Sequence, residues 1–284
     1  MKYGLHIPNF GAFGTAKIMA EAAQDAENAG WDGFFVWDHV ARPVNYNLVD
    51  PWVALTAIAM ATETIQFGTM VTPLPRRRPQ VLARETVSLD VLSGGRLILG
   101  VGLGSGRPQE WSNFGEETDL KTRAQMTDEA LDILLGLWSG EKFNFHGQHY
   151  TVENSQFLPR PVNGHIPIWI AGYYPSKPPM RRAAKYDGMF ILFNDTDDKF
   201  VALRDTLDYI LPRRETDTPF DAVYLNTEKA NTPRQEIIDT AYQAQSAGAT
   251  WWLSEMTPEH YDIERDENWH YDSMRDMILQ GPPK

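Results

Sequence analysis

The amino-acid sequence predicts an α/β fold, a closed (β/α)8 barrel of the TIM type with an insertion after the fourth strand. Three observations carry that prediction. Eight short apolar runs occur within 284 residues, and most are continuous rather than alternating, as strands covered on both faces should be. The runs start at residues 3, 33, 65, 96, 167, 187, 220 and 248, so all steps but one are 20 to 33 residues long. Helix patterns fill several of the gaps. Strands alternating with helices imply right-handed crossovers and a parallel sheet, and eight such units in so short a chain match a closed barrel better than an open sheet.

The first run, YGLHIP from Tyr3, is followed by Thr15, which can cap a helix carrying Ile18, Ala22, Ala26 and Ala29 on one face, with Gly30 to end it. The second run, GFFVWDH from Gly33, leads to a helix that Pro51 can start, through Leu55, Ile58 and Ala59. The third, IQFGTMV from Ile65, leads to a helix starting at Pro79, through Leu82, Leu89 and Leu92, closed by Gly94-Gly95. The fourth, RLILGVGLG from Arg96, precedes the single long step of 71 residues. That step holds an insertion at roughly 105–121, a helix marked by Ala130, Leu131, Leu134, Leu135 and Trp138, and a hairpin-like segment with Phe143, Phe145, Gly147 and Tyr150. PIWIAG, DGMFILF, FDAVYLN and GATWWLSEM complete the strands, and Pro233 opens a late helix through Ile237, Ile238, Ala241 and Ala244. No linker interrupts the pattern, so residues 1–284 are expected to form one domain.

Composition narrows the function classes. Hydrophobic residues make up 42%, enough for a sizeable core. The net charge of −12 and pI of about 5.0 argue against nucleic acid as a partner, since phosphate binding needs an excess of Lys and Arg. The basic run Arg76-Arg77-Arg78, flanked by prolines, reads as a solvated turn. There are no cysteines, which excludes disulfides, thiolate nucleophiles and Cys-ligated metals. The stretch MKYGLHIPNF lacks the apolar core of a signal peptide, and no apolar run approaches a membrane span. A cytoplasmic protein without membrane contact is expected, and in that compartment the sequon Asn194-Asp195-Thr196 is idle.

The stretch WDGFFVWDHV, residues 31–40, ends an apolar run on Asp38 and His39. Buried without partners, that pair would cost several kcal/mol. At the C-terminal end of a barrel strand it would instead reach the active-site mouth. His39, with Asp38 beside it, is therefore the catalytic candidate, suited to proton transfer or hydrogen bonding. His6, inside the first strand, reads as a core or mouth histidine with a structural role. The other strands end in Pro8-Asn9-Phe10, Thr69-Met70-Val71-Thr72-Pro73, Gly100 to Gly106, Ala171-Gly172-Tyr173-Tyr174, Phe193-Asn194-Asp195 and Ser254-Glu255. The run GVGLGSG either lets backbone N–H groups approach an anion or forms a flexible loop without a ligand; it is neither a P-loop nor a dinucleotide fingerprint. Histidines lack helix-face metal spacing, His260 and His270 lie in polar sequence, and no metal site is expected. No G-x-S-x-G elbow is present, which weakens a hydrolase reading. Phe10, Trp37, Tyr173 and Tyr174 at strand ends suit a pocket for a flat ring.

The chain resembles the bacterial luciferase-like monooxygenase family, flavin- and deazaflavin-dependent (β/α)8 oxidoreductases. The carriers are G-W-D-G-F-F-V-W-D-H (30–39), G-T-M-V-T-P-L-P-R-R-R-P (68–79), L-A-R-E-T-V-S-L-D-V-L-S-G-G-R-L-I-L-G-V-G (82–102), A-L-D-I-L-L-G-L-W-S-G (130–140), F-x-P-x-P-V (157–162), R-R-A-A-K-Y-D-G (181–188) and the ending Q-G-P-P-K. The resemblance implies a noncovalently bound cofactor, FMN or coenzyme F420, and a small organic substrate that is reduced or oxygenated beneath the insertion. It implies that His39 meets the ring edge and that strand 3 ends in a bulge with a cis non-proline bond at Met70–Val71, so that Thr69, Met70 and Val71 prop the ring. It further implies a cofactor phosphate near Gly102, Gly104, Ser105, Ala171 and Gly172, with Asn9 and Glu255 facing the same pocket. Family members often pair through barrel helices, so a homodimer is implied as well. Two departures separate the chain from the family's deazaflavin-dependent sugar-phosphate dehydrogenases. Those carry an acid soon after the strand 4 glycines, where this chain has Ser105, and a Trp just beyond the D-H turn, where it has Arg42-Pro43. Both count against sugar-phosphate oxidation. The long insertion that luciferases carry after strand 7 is missing, so a partly open mouth is expected. Two other readings stay open: a phosphate-binding barrel lyase or isomerase, and a flavin-binding protein without turnover.

Overall fold

A computed structural model describes residues 1–42, 46–194, 197–229, 231–257 and 269–284. Pro43, Asp195, Thr196 and His260 lie outside the described residues. Eight parallel strands close a barrel: β1 (Lys2–Ile7), β2 (Gly33–Val36), β3 (Gln66–Pro73), β4 (Leu97–Gly102), β7 (Ile168–Tyr173), β8 (Gly188–Leu192), β9 (Asp221–Asn226) and β10 (Trp251–Glu255). The two others, β5 (Phe143–His146) and β6 (Thr151–Ser155), form the antiparallel hairpin expected after the insertion. Register closes the ring from Gly4 opposite Gly33 on one side of β1 to Gly4 opposite Leu253 on the other.

Helices pack outside, and their ends follow the local sequence. Thr15 caps α1 (Ala16–Asn28) by accepting from the Ile18 N–H. Asp50 caps α2 (Pro51–Ala61), accepting from Trp52 and Val53, with Pro51 at the first position where no N–H is needed. Pro79 opens α3 (Pro79–Ser93), and Gly94 ends it at φ 69°, a left-handed geometry glycine adopts without strain. Further along the chain lie α4 (Leu120–Trp138), α5 (Lys177–Ala183), α6 (Lys199–Ile210), α7 (Arg234–Ser246) and α8 (Asp272–Leu279). Helices α5, α6 and α8 are additional to those expected from the sequence. Helix α5 is only seven residues long and carries Pro178-Pro179 in its first turn, a pair that resembles a turn in sequence. Helix α6, by contrast, carries Phe200, Leu203, Leu207 and Ile210 at helical spacing, so its signal is present in the chain.

The barrel interior is filled by Phe35, Met70, Ile98, Trp169, Phe190, Val223, Leu225, Trp251 and Leu253. Phe35, Trp169 and Trp251 meet pairwise at ring separations of 5.2 to 5.5 Å, two of the three contacts edge-on. Each fully buried side chain of this size stabilises the fold by about 1.5–3 kcal/mol. Val71, Ala171 and Leu192 are partly exposed above this packing, so the barrel is closed below an apolar shelf at its C-terminal end.

Candidate active site

Strand β2 ends at Val36, and Trp37, Asp38 and His39 follow it without regular structure, Asp38 and His39 each with partners of its own. The Asp38 carboxylate turns inward, wholly buried, to Arg77 Nη2 at 2.7 Å, with Arg76 Nη1 at 4.0 Å. The His39 imidazole keeps 20% of its surface exposed and places Nδ1 2.8 Å from Glu110 Oε1. Phe10 and Trp37 meet it edge-on, at 6.1 and 5.4 Å.

Glu110 comes from the insertion after β4, where short 3-10 turns at Pro108–Glu110 and Ser112–Phe114 replace regular structure. Burial would raise its carboxyl. The His39 hydrogen bond and charge, the Arg76 guanidinium and the Val40 N–H together outweigh burial and hold it below the usual range. Arg76 Nη2 lies 2.7 Å from Glu110 Oε2, and Arg76 Nη1 donates to the Asp38 carbonyl at 3.3 Å. The expectation of a solvated Arg76-Arg77-Arg78 turn thus fails for its first two members, whose side chains are 7% and 18% exposed; only Arg78 is exposed. The physical reason is two buried carboxylates on either side of the turn, which make burial of the guanidiniums favourable.

Trp111, next to Glu110, anchors the insertion. Arg123 of α4 stacks on its ring at 3.4 Å and donates to the carbonyls of Ser105 and Glu117. A Cβ on Gly104, whose φ is +84°, would run into this same indole, so glycine here admits Trp111. Gly100 and Gly102 have a different neighbour. A Cβ on Gly100 would strike the Thr69 carbonyl, and one on Gly102 would lie 2.7 Å from Val71 Cγ2. These two glycines make room for the end of β3, where the register breaks between Thr69 and Thr72 and the Met70–Val71 bond is cis. Thr72 Oγ1 donates to Thr69 Oγ1 at 2.9 Å, and Thr69 Oγ1 donates to the Gly100 carbonyl at 3.2 Å, holding the bulge against β4.

His6 fixes the other side of the bulge. Trp37 Nε1 donates to His6 Nδ1 at 3.1 Å, so Nε2 carries the proton and donates to the Met70 carbonyl at 3.0 Å. Glu255 Oε1 stands 3.7 Å from the same Nδ1. His39, Trp37, His6 and Met70 thus form one contact chain from the end of β2 to the bulge. The remaining candidates have local roles. Asn9 is buried, donates to the carbonyls of His39 and Val49 at 2.8 Å each, and accepts from the His39 N–H, clamping the loop that carries the imidazole. The Ser105 carbonyl accepts from Arg123, and its hydroxyl accepts from the Arg107 N–H. Gly172 lies against Pro179 of α5. Sequence reasoning missed Glu110, Arg76 and the role of His6. No motif marks Glu110; for Arg76 the signal was a basic run on a strand-end loop whose neighbour ends in an acid. Among the described residues no His/Asp/Glu cluster could hold a metal ion, and no helix is long and apolar enough to cross a membrane.

A closed parallel barrel with a bulged third strand at its mouth defines the class of fold. The luciferase-like monooxygenase family profile matches residues 6–256, and the chain belongs to that family. An F420-dependent glucose-6-phosphate dehydrogenase of Amycolatopsis mediterranei is 31% identical over 173 residues, 60% of this chain and 50% of that protein. The chain matches less than two thirds of the length of such curated relatives. Among solved structures, an F420-dependent secondary alcohol dehydrogenase in complex with an F420-acetone adduct superposes with a TM-score of 0.78 at 18% identity, covering 98% of both chains. The oxygenating constituent of 3,6-diketocamphane monooxygenase from Pseudomonas putida, in complex with FMN, superposes at 0.66 and 21% identity, covering 86% of this chain and 71% of its own.

Proposed function

We propose that this protein is an oxidoreductase that holds a reduced flavin (FMN) or deazaflavin (coenzyme F420) noncovalently at the barrel mouth and reduces or oxygenates a small organic substrate. The observation that carries the reading is the apolar shelf of Val71, Ala171 and Leu192 at the C-terminal end of the barrel, the same end at which the partly exposed His39 follows β2. A planar ring matches that combination, an apolar floor with a polar group at the same end. When bound, the cofactor supplies hydride or activated oxygen. The chain's own contribution is to orient and to exclude water. The shelf supports one face, the bulge held by His6 and Thr69 fixes the margin, and the imidazole of His39 holds or moves a proton.

The F420-dependent relative supports the deazaflavin and the FMN complex supports the flavin. Titration with oxidised FMN and with F420, followed by ring fluorescence, tests the reading. Binding of one at micromolar concentration is expected. Binding of neither sinks it and favours the phosphate-binding lyase or isomerase. Binding without turnover, on mixing the reduced complex with oxygen or candidate substrates, makes the protein a cofactor-binding protein instead.

The partner proposed for the outer surface is a second copy of the chain. Helix α2 has no charged residue and exposes Val53 and Met60, while neighbouring α3 exposes Val81, Val91 and Leu92. A helix that is apolar all round is normally covered. Sedimentation should give twice the monomer mass of 32.3 kDa.

A further inference from the structure

We propose that Glu110 is a positioning residue that fixes His39 as its Nδ1–H tautomer and leaves Nε2 as the nitrogen that takes or gives a proton. The inference rests on the proposed function only for the use made of Nε2. Glu110 is 1% exposed. Arg76 and the Val40 N–H satisfy and hold its charge, so the carboxylate can only accept, and the proton between it and His39 belongs on Nδ1. Nε2 then has no hydrogen-bond partner among the described residues and lies on the ring edge away from the buried carboxylate. The ring cannot turn over without losing this bond, because Asn9 grips the His39 backbone on both its N–H and its carbonyl, and Phe10 and Trp37 stand against the ring. A purely structural ion pair would need only Arg76, which already occupies Glu110 Oε2; the other oxygen is given to the imidazole. Asp38 completes the support from behind. It holds Arg77, and its carbonyl holds Arg76, so the two residues adjacent in sequence are connected in space through Arg76 and Glu110.

The test reads the tautomer directly, in cofactor-free protein labelled with 15N in its seven histidine rings, at a pH where the imidazoles are neutral. The His39 signals are assigned by their loss in His39→Gln. The parent should show a protonated Nδ1 and a bare Nε2. Glu110→Gln, whose amide can present either donor or acceptor, should give mixed or inverted tautomers, and Glu110→Asp should restore the parent pattern. A parent spectrum with the proton on Nε2 overturns the assignment, as does Glu110→Gln with the parent tautomer unchanged. Should Glu110→Gln not fold, the parent spectrum decides alone. If neither FMN nor F420 binds while the Nδ1–H tautomer is found, the proposed function falls and the positioning role stands; if a cofactor binds and the tautomer is Nε2–H, the reverse holds.

Discussion

The two ends of the barrel use charged side chains in opposite ways. At the floor they grip backbone. Asp32 accepts from the Tyr3 N–H at 2.8 Å, Asp90 from Val162 at 2.8 Å, Asp187 from Ile168 at 2.9 Å, and Glu27 takes the successive N–H groups of Glu63, Thr64 and Ile65. Arg96 does the converse, donating to the carbonyls of Ala59, Thr62, Ile65 and Ser93. All but the Arg96–Ser93 bond tie one βα unit to another. At the mouth the charges grip one another: Asp38, Arg77, Arg76, Glu110 and His39 form a run that ends on a ring nitrogen. Floor charges satisfy groups that any fold must satisfy, whereas mouth charges hold one side chain still and leave one of its atoms unused. The same residue types therefore predict loss of stability at one end and loss of chemistry at the other.

His39→Ala should break the mouth most severely. A turnover loss of about 10²–10⁴-fold is expected, the usual worth of a positioned acid or base. An equal rate in the variant would remove His39 from the reaction. The floor should show the opposite signature. Arg96→Ala strips four carbonyls of their donor and should lower unfolding stability by about 2–4 kcal/mol in urea, since each unmade buried bond costs about 1 kcal/mol. Cofactor affinity of the folded fraction should be unchanged; a weakened affinity would mean that the two ends are coupled. Glu110→Gln should cost about 10- to 100-fold in turnover, typical of a group that orients another ligand. It should also remove part of the protein's acid sensitivity. The Glu110 carboxyl lies below its ordinary value of 4.5 in the fold, so its stabilisation is present above that pH and lost as pH falls through the lowered value. The parent should therefore lose its stability advantage over Glu110→Gln on acidification; a constant gap would contradict the lowered pKa.

Strand positions were legible because apolar runs must be buried whatever surrounds them, and all eight expected barrel strands are present. The cis Met70–Val71 bond was legible only through family resemblance, and it lies at the expected bond. The logic of the mouth was not legible. Asp38 and His39 look like a pair in sequence, but each finds its partner elsewhere, 39 or 71 residues away. The glycines of strand 4 read either as an anion approach or as a flexible loop. In space Gly100 and Gly102 make way for the β3 bulge and Gly104 for Trp111, close approaches that depend on a neighbouring strand and loop. Long-range partners of loop residues leave no periodic trace, which is why Glu110 and Arg76 escaped while the strands did not.

The smallest expected effect sharpens the account of the floor. His165 Nε2 lies 2.7 Å from Asp187 Oδ2, just below β7 and β8, and this hydrogen bond raises the imidazole above its ordinary value of 6.5 against the opposing effect of burial. A raised histidine contributes stability that is fully present below the unfolded value and is lost as pH rises through the folded one. With side-chain exposures of 45% and 23%, the pair is screened, and its worth should stay below about 1 kcal/mol. His165→Gln should therefore shift the urea midpoint slightly downward at about pH 5.5 and leave it near the parent's at about pH 8.5. Turnover should be unaffected at both values, because Asp187 still accepts from Ile168 and the strand tips are not disturbed. A midpoint shift that grows with pH would reverse the sign and show that His165 is held neutral. A change in turnover would show that floor charges reach the mouth.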